Sequence, residues 1–150
     1  MKIMDFLNQD AIILDLTSQD KSSTINELVS LIKLDNSATS EIVNIILARE
    51  KLGSTGIGQG IAIPHGKTNI LTKQTGILGI SHKGIEFNSL DGELVYIVFV
   101  LIGPVDETVE HLNALSKISK LVKDKCIRTA IKLAKTKDEI ITLINKEDSY

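Results

Sequence analysis

Nine consecutive residues, Leu94 to Ile102 (LVYIVFVLI), carry no charge, and the only side-chain polar atom among them is the Tyr96 hydroxyl. A run of nine is about half of what a bilayer-crossing helix needs. Its unbroken rather than alternating pattern reads as a central β-strand covered on both faces. A chain built on such a strand must place a layer on each side of its sheet.

Helical patterns before and after the run can supply those layers. Ala11 to Leu16 suits a first strand. Ser18 or Asp20 can cap a helix running to about Lys33, with Ile25, Leu28, Val29 and Ile32 at helical spacing. Asn36 or Ser37 opens a second helix through Glu50, where Ile42, Ile45 and Ile46 face inward and Arg49 shares their face at the helix end. Ile61 to Ile63 forms a brief strand that Pro64 interrupts, and Gly76–Ser81 and Gly84–Phe87 form two more. Asp91-Gly92 is a hairpin-type turn before the central run. Beyond it, Glu107 or Thr108 to Lys123 carries Leu112, Leu115, Ile118 and Val122 on one stripe, and a further helix covers Cys126 to Lys135. Thr136 to Glu139 matches a capping box that starts a last helix over Ile140, Ile141 and Ile144. No repeat or linker divides residues 1–150, so a single domain is expected. Helices on both sides of a block of strands predict an α/β (α+β by some schemes) layered sandwich.

The core must be aliphatic, because 23 Ile and 18 Leu stand against five aromatic residues and no Trp. With so few stacking platforms and a net charge of −2, the chain does not suit nucleic-acid binding. The N-terminus lacks the basic-then-apolar order of a signal peptide. One cysteine, Cys126, allows no internal disulfide and fits a reducing cytosol. A cytoplasmic protein that is not itself embedded in a membrane is expected.

Chemistry near neutral pH is confined to three histidines, His65, His82 and His111. His65 closes a glycine-rich block, Lys51 to Lys67 (KLGSTGIGQGIAIPHGK). Gly66-Lys67-Thr68 imitates the end of a Walker phosphate loop, but Ile61 stands where its first glycine belongs. Gly56 to Gly60 reads G-x-G-x-G, one residue short of the dinucleotide pattern. What remains is a glycine turn whose N–H groups could bind an anion beside a histidine; a tight connection with a structural histidine is the plainer reading of the same spacing. His111 lies on the inward stripe in the first turns of its helix, just past the end of the central strand, where ligand crevices form in α/β sheets. A buried histidine bonded to a carbonyl would look the same. No pair of residues has metal-ligand spacing, so no metal or other cofactor is expected. His82 reads as a surface residue and Cys126 as helix packing. Ser54 and Thr55 are either turn residues or hydroxyl donors to an anion at His65.

The stretch REKLGSTGIGQGIAIPHGK (Arg49 to Lys67) closely resembles the active-site signature of the type-2 IIA family. These are the fructose/mannitol-type phosphocarrier domains of the bacterial phosphoenolpyruvate-dependent phosphotransferase system. Phe87, Asp91, the strand to Phe99, Pro104 and His111-Leu112-Asn113-Ala114-Leu115 agree in order. The wording is most similar to the nitrogen-related branch. The resemblance implies a mixed five-stranded sheet flanked by helices on both sides. It also implies that His65 is phosphorylated on Nε2 by an HPr-like phosphocarrier, general or nitrogen-branch. His111 maps onto the second active-site histidine and Arg49 onto the active-site arginine. Phosphoryl transfer through a loose transition state asks for alignment and charge stabilisation. His111 and Arg49 would serve that end, together with phosphate-binding donors from Ser54, Thr55 and Gly66. An aliphatic rim of Ile57, Ile61 and Ile63 would shield the phosphohistidine. The acceptor is then a regulatory target protein; alternatives are a sugar-specific IIA passing phosphate to a IIB domain, and an unmodified protein-interaction domain.

Overall fold

The computed structural model describes residues 1–149. They form six strands and five α-helices: β1 (Leu7–Ile13), α1 (Lys21–Val29), α2 (Asn36–Leu52), β2 (Gly56–Gly58), β3 (Ile61–Ala62), β4 (His65–Lys67), β5 (Thr75–Ile85), β6 (Val95–Gly103), α3 (Thr108–Lys123), α4 (Lys125–Leu133) and α5 (Lys137–Asp148). The sheet runs β1-β5-β6-β3-β2, with β4 also on β6. β5 and β6 are antiparallel, whereas β1 lies parallel to β5, and β3 and β4 parallel to β6. The long apolar run is therefore the central strand. From Ile97 to Ile102 each side chain is at most 1% exposed, as an uninterrupted apolar pattern requires.

Six strands replace the expected five: Pro64 splits one, two others fuse, and Gly56–Gly58 of the glycine block, expected as a turn, pairs with β3 as a short strand. β3 and β4 keep the same register on β6, from Ile61 opposite Ile97 to Lys67 opposite Gly103. Pro64 O accepts from Leu101 N and Thr68 N donates to Gly103 O, so residues 64, 66 and 68 turn their backbone groups toward β6. Pro64 has no N–H for the preceding rung, and the strand breaks there and resumes at His65. Elsewhere two expected strands fuse, since Gly76–Ser81 and the first two residues of Gly84–Phe87 lie in the single β5, with an irregularity between Ile80 and Ile85; Glu86 and Phe87 fall beyond its end. β1 starts at Leu7 rather than Ala11. Its exposed Asn8, Gln9 and Asp10 hid that start from a reading based on apolar residues.

Alternation along β4 sorts the layers. A Cβ on Gly66 would lie 2.8 Å from Ile45 Cγ2 of α2, so α2 backs β4 on that face. His65 and Lys67 consequently point to the opposite face, where Lys67 Nζ reaches Thr108 Oγ1 of α3 at 3.1 Å. Helix starts follow local chemistry: Asp20, Asp35, Asp124 and Thr136 each accept a bond from a first-turn N–H. The capping box at Thr136 is only half formed, because Glu139 reaches back to Lys135 N rather than to Thr136 N. Cys126 is exposed, which corrects its reading as a packing residue. Among the described residues no helix is long and apolar enough to cross a membrane.

Candidate functional site

His65 opens β4, directly after the broken rung, and is half-buried. Its Nδ1 lies 2.8 Å from Ile63 O. A carbonyl can only accept, so Nδ1 carries the proton and Nε2 of the neutral ring holds a lone pair. The backbone thus selects which ring nitrogen keeps the lone pair.

His111 faces it from α3, with ring centroids 6.1 Å apart and planes inclined by 55°. The inward stripe of α3 is His111, Ala114, Ile118, Leu121 and Val122, whereas Leu112 is 59% exposed. His111 thus lies inside, as its spacing to Leu115, Ile118 and Val122 predicts, and Leu112 alone leaves the expected stripe. His111 Nδ1 is 2.9 Å from Gln74 Oε1. Burial first, then the charges of His65 and Lys67, lower its pKa from 6.5 to about 4. At neutral pH His111 is an uncharged ring.

The glycine block does not form an open phosphate cradle. Its N–H groups already serve the protein's own carboxylates and hydroxyls. Thr55 N donates to Glu50 at 3.2 and 3.3 Å, Gln59 N to Asp91 Oδ2 at 2.9 Å, and Gly56 N to Ser54 Oγ at 3.0 Å. The Thr55 hydroxyl is held by Glu50 and the Ser54 hydroxyl by Phe87 O. Gly58, at φ +101°, lets the turn close on Asp91, which a side chain there would crowd. Ser54 and Thr55 therefore spend their hydroxyls on pinning the loop. Gly66 turns its backbone into the β6 ladder, so the donors left on the outer side of β4 are the N–H groups of His65 and Lys67.

Arg49 is also differently employed. Its guanidinium donates to Gly53 O at 2.9 Å, closing the last turn of α2, and no hydrogen bond joins it to either histidine. The buried residue at that helix end is Glu50, 7% exposed and paired with Lys21 Nζ at 2.9 Å. Ile61 and Ile63 are buried in the core and only Ile57 of the expected rim is exposed. The exposed apolar side chains beside His111 are Val105, Val109 and Leu112. His82 is exposed, with Nε2 3.1 Å from Leu14 O, and stays outside the site. Sequence reasoning missed Gln74 and Lys67. Gln74 gave no signal, while Lys67 could have been found from its i+2 relation to His65 on a strand.

The chain matches the family described as "Phosphoenolpyruvate-dependent sugar phosphotransferase system, EIIA 2" over residues 5–147. It is 34% identical to the nitrogen regulatory protein of Klebsiella oxytoca, with 99% of this chain and 93% of that protein covered. It is 38% identical to the fructose-specific EIIABC component of Bacillus subtilis over 99% of this chain, but spans only 24% of that protein. The structure superposes on the crystal structure of nitrogen regulatory protein IIA-Ntr from Neisseria meningitidis with a TM-score of 0.87 at 31% identity, covering 95% of this chain and 98% of that one. A match over almost the whole chain, on a fold whose central strand brings two histidines together, places this protein in the EIIA type 2 family of the phosphotransferase system.

Proposed function

We propose that His65 receives and passes on the phosphoryl group, and that its phosphorylation state governs binding to a regulatory target. The carrying observation is the 2.8 Å bond from His65 Nδ1 to Ile63 O, which leaves Nε2 as the free lone pair. That lone pair attacks the phosphorus of a phosphohistidine on an HPr-like donor. A new N–P bond forms at Nε2, the donor's N–P bond breaks, and its electron pair returns to the donor nitrogen. His65 keeps its Nδ1 proton, so the phosphorylated ring is positive against a dianionic phosphoryl group. Lys67 supplies a fixed positive charge on that face and Arg49 one at the neighbouring helix end. Ser54, Thr55 and Gly66 hold the site's frame.

The nitrogen regulatory relatives, aligned over nine-tenths or more of their own length, support the regulatory reading. The 38% identity to a fructose-specific component favours a second one, in which the acceptor is a IIB domain. Both place the chemistry in the cytoplasm and need no cofactor. The test supplies phosphoenolpyruvate, the upstream carriers and this protein, and looks for acid-labile phosphate. Wild type should be labelled and His65→Ala unlabelled; label surviving in His65→Ala overturns the assignment. Passage of the label to a fructose- or mannitol-type IIB would select the second reading.

A further inference from the structure

Gln74 stands just before β5, in a polar stretch (TKQT) that offers no hint of function. Yet its side chain is buried, at 6% exposure for the residue, and its amide is used at both ends. Oε1 meets His111 Nδ1 at 2.9 Å, and Nε2 donates to Glu107 Oε1 at 3.3 Å. An amide can be turned either way round, and the carboxylate decides: Glu107 accepts, so the NH₂ end points to it and the carbonyl end points to His111. His111 must then donate from Nδ1. The room for this amide comes from Gly103 at the end of β6, because a Cβ there would collide with the Gln74 amide.

We propose that Gln74 is a positioning residue for phosphoryl transfer, which holds His111 in its Nδ1–H form and keeps its Nε2 unprotonated at rest. The inference rests on the phosphocarrier reading of His65. Its consequence is a division of labour between the rings. Both histidines have Nδ1 tied to a carbonyl oxygen, Ile63 O for one and Gln74 Oε1 for the other, so both present Nε2 as an acceptor. In the resting protein His111 cannot donate to a phosphoryl oxygen. When the dianionic phosphoryl group arrives on His65, its charge favours protonation of His111, and Nε2 takes a proton from solvent and becomes a donor. Gln74 Oε1 continues to accept from Nδ1–H throughout, so the ring gains a charge without turning. The charged or titratable groups around this ring are His65 and Lys67 from β4, and Glu107 and Glu110 from the start of α3.

The test reads the ring nitrogens directly, by ¹⁵N NMR of the histidines with and without phosphorylation, alongside transfer rates from the donor. Wild type should show His111 as Nδ1–H when unphosphorylated and doubly protonated when phosphorylated. Gln74→Leu, close in volume, should lose the Nδ1–H preference and slow transfer about fivefold to tenfold, the worth of one hydrogen bond or a little more. Gln74→Glu, which still accepts from Nδ1, should restore that form and raise the His111 titration point. Should Gln74→Leu fail to fold, Glu107→Gln at a half-buried position serves instead, and should weaken the Nδ1–H preference. An Nε2–H ring in wild type overturns the proposal. So does a Gln74→Leu protein with an unchanged tautomer and a rate within twofold. The unphosphorylated spectra depend only on the proposal, and a wild type that takes no phosphate at all fails the phosphocarrier reading instead.

Discussion

An imidazole 3% exposed to solvent, with Lys67 and a second histidine nearby, is a poor place for a proton. The pKa of His111 falls from 6.5 to about 4, chiefly through burial. In the unfolded chain the same ring binds a proton near pH 6.5, so between those values unfolding takes up a proton. The stabilising effect of the neutral ring is complete above pH 6.5 and is lost as pH falls towards 4, by at most about 3 kcal/mol. Urea midpoints at pH 7.5 and 4.5 should therefore differ more in wild type than in His111→Gln. Equal differences would show that other groups carry the acid sensitivity. The inward placement of His111 was legible from its helical spacing and its position after the central strand. Its partner was not, because a glutamine 37 residues away in sequence reveals itself only when β5 and α3 are folded together.

A single buried carboxylate ties three elements. Glu50 lies at the end of α2, bonds Lys21 of α1 and accepts from the backbone and hydroxyl of Thr55 ahead of β2. Removing one partner of such a pair leaves the other uncompensated. Glu50→Ala should cost about 3–5 kcal/mol in chemical denaturation and loosen the glycine block. A loss below about 1 kcal/mol would mean that water replaces the carboxylate at little cost. Helical periodicity had pointed to Arg49 as the inward residue here, since a helix end viewed from Ile45 and Ile46 leaves one position of ambiguity. The elements themselves were mostly legible. Capping residues marked α1 and α5, and the apolar run marked β6. The strand break at Pro64 was legible too, but its resumption at His65 was not, because only the partner strand shows that the register continues.

Across the whole molecule, the two faces of the sheet have separate duties. Helices α1 and α2 cover one, and α1 and β5 meet where Leu28 approaches Gly79. The other bears α3 with His111, opposite His65. Val105, Val109 and Leu112 stand exposed at the start of α3 at 50%, 66% and 59%, a set of apolar side chains on the same helix start as His111 that would suit a docking partner in the proposed transfer. The double variant Val109→Glu, Leu112→Glu should slow phosphorylation by the protein donor at least tenfold through a raised KM. Stability should stay within about 0.5 kcal/mol, as for most surface changes. Phosphorylation by the small donor phosphoramidate should be unaffected. Equal losses with both donors would assign the defect to chemistry instead of docking. The layered architecture followed from one apolar run, whereas this surface had been sought in Ile61 and Ile63, which the sheet buries.

The bond between His65 and Ile63 turns a main-chain carbonyl into a witness of the ring's charge. A phosphorylated, positively charged imidazole donates more strongly than a neutral one, and the carbonyl carbon should respond with a downfield shift. The chain has two prolines, and only Pro64 follows an isoleucine; Pro104 follows Gly103. Labelling isoleucine carbonyls with ¹³C and proline with ¹⁵N would therefore isolate one coupled signal among 23 isoleucines. That resonance would report the phosphorylation state of the intact protein without any probe attached to it. An unmoved signal in protein shown to carry phosphate on His65 would mean that the Nδ1 bond is released when the phosphoryl group arrives.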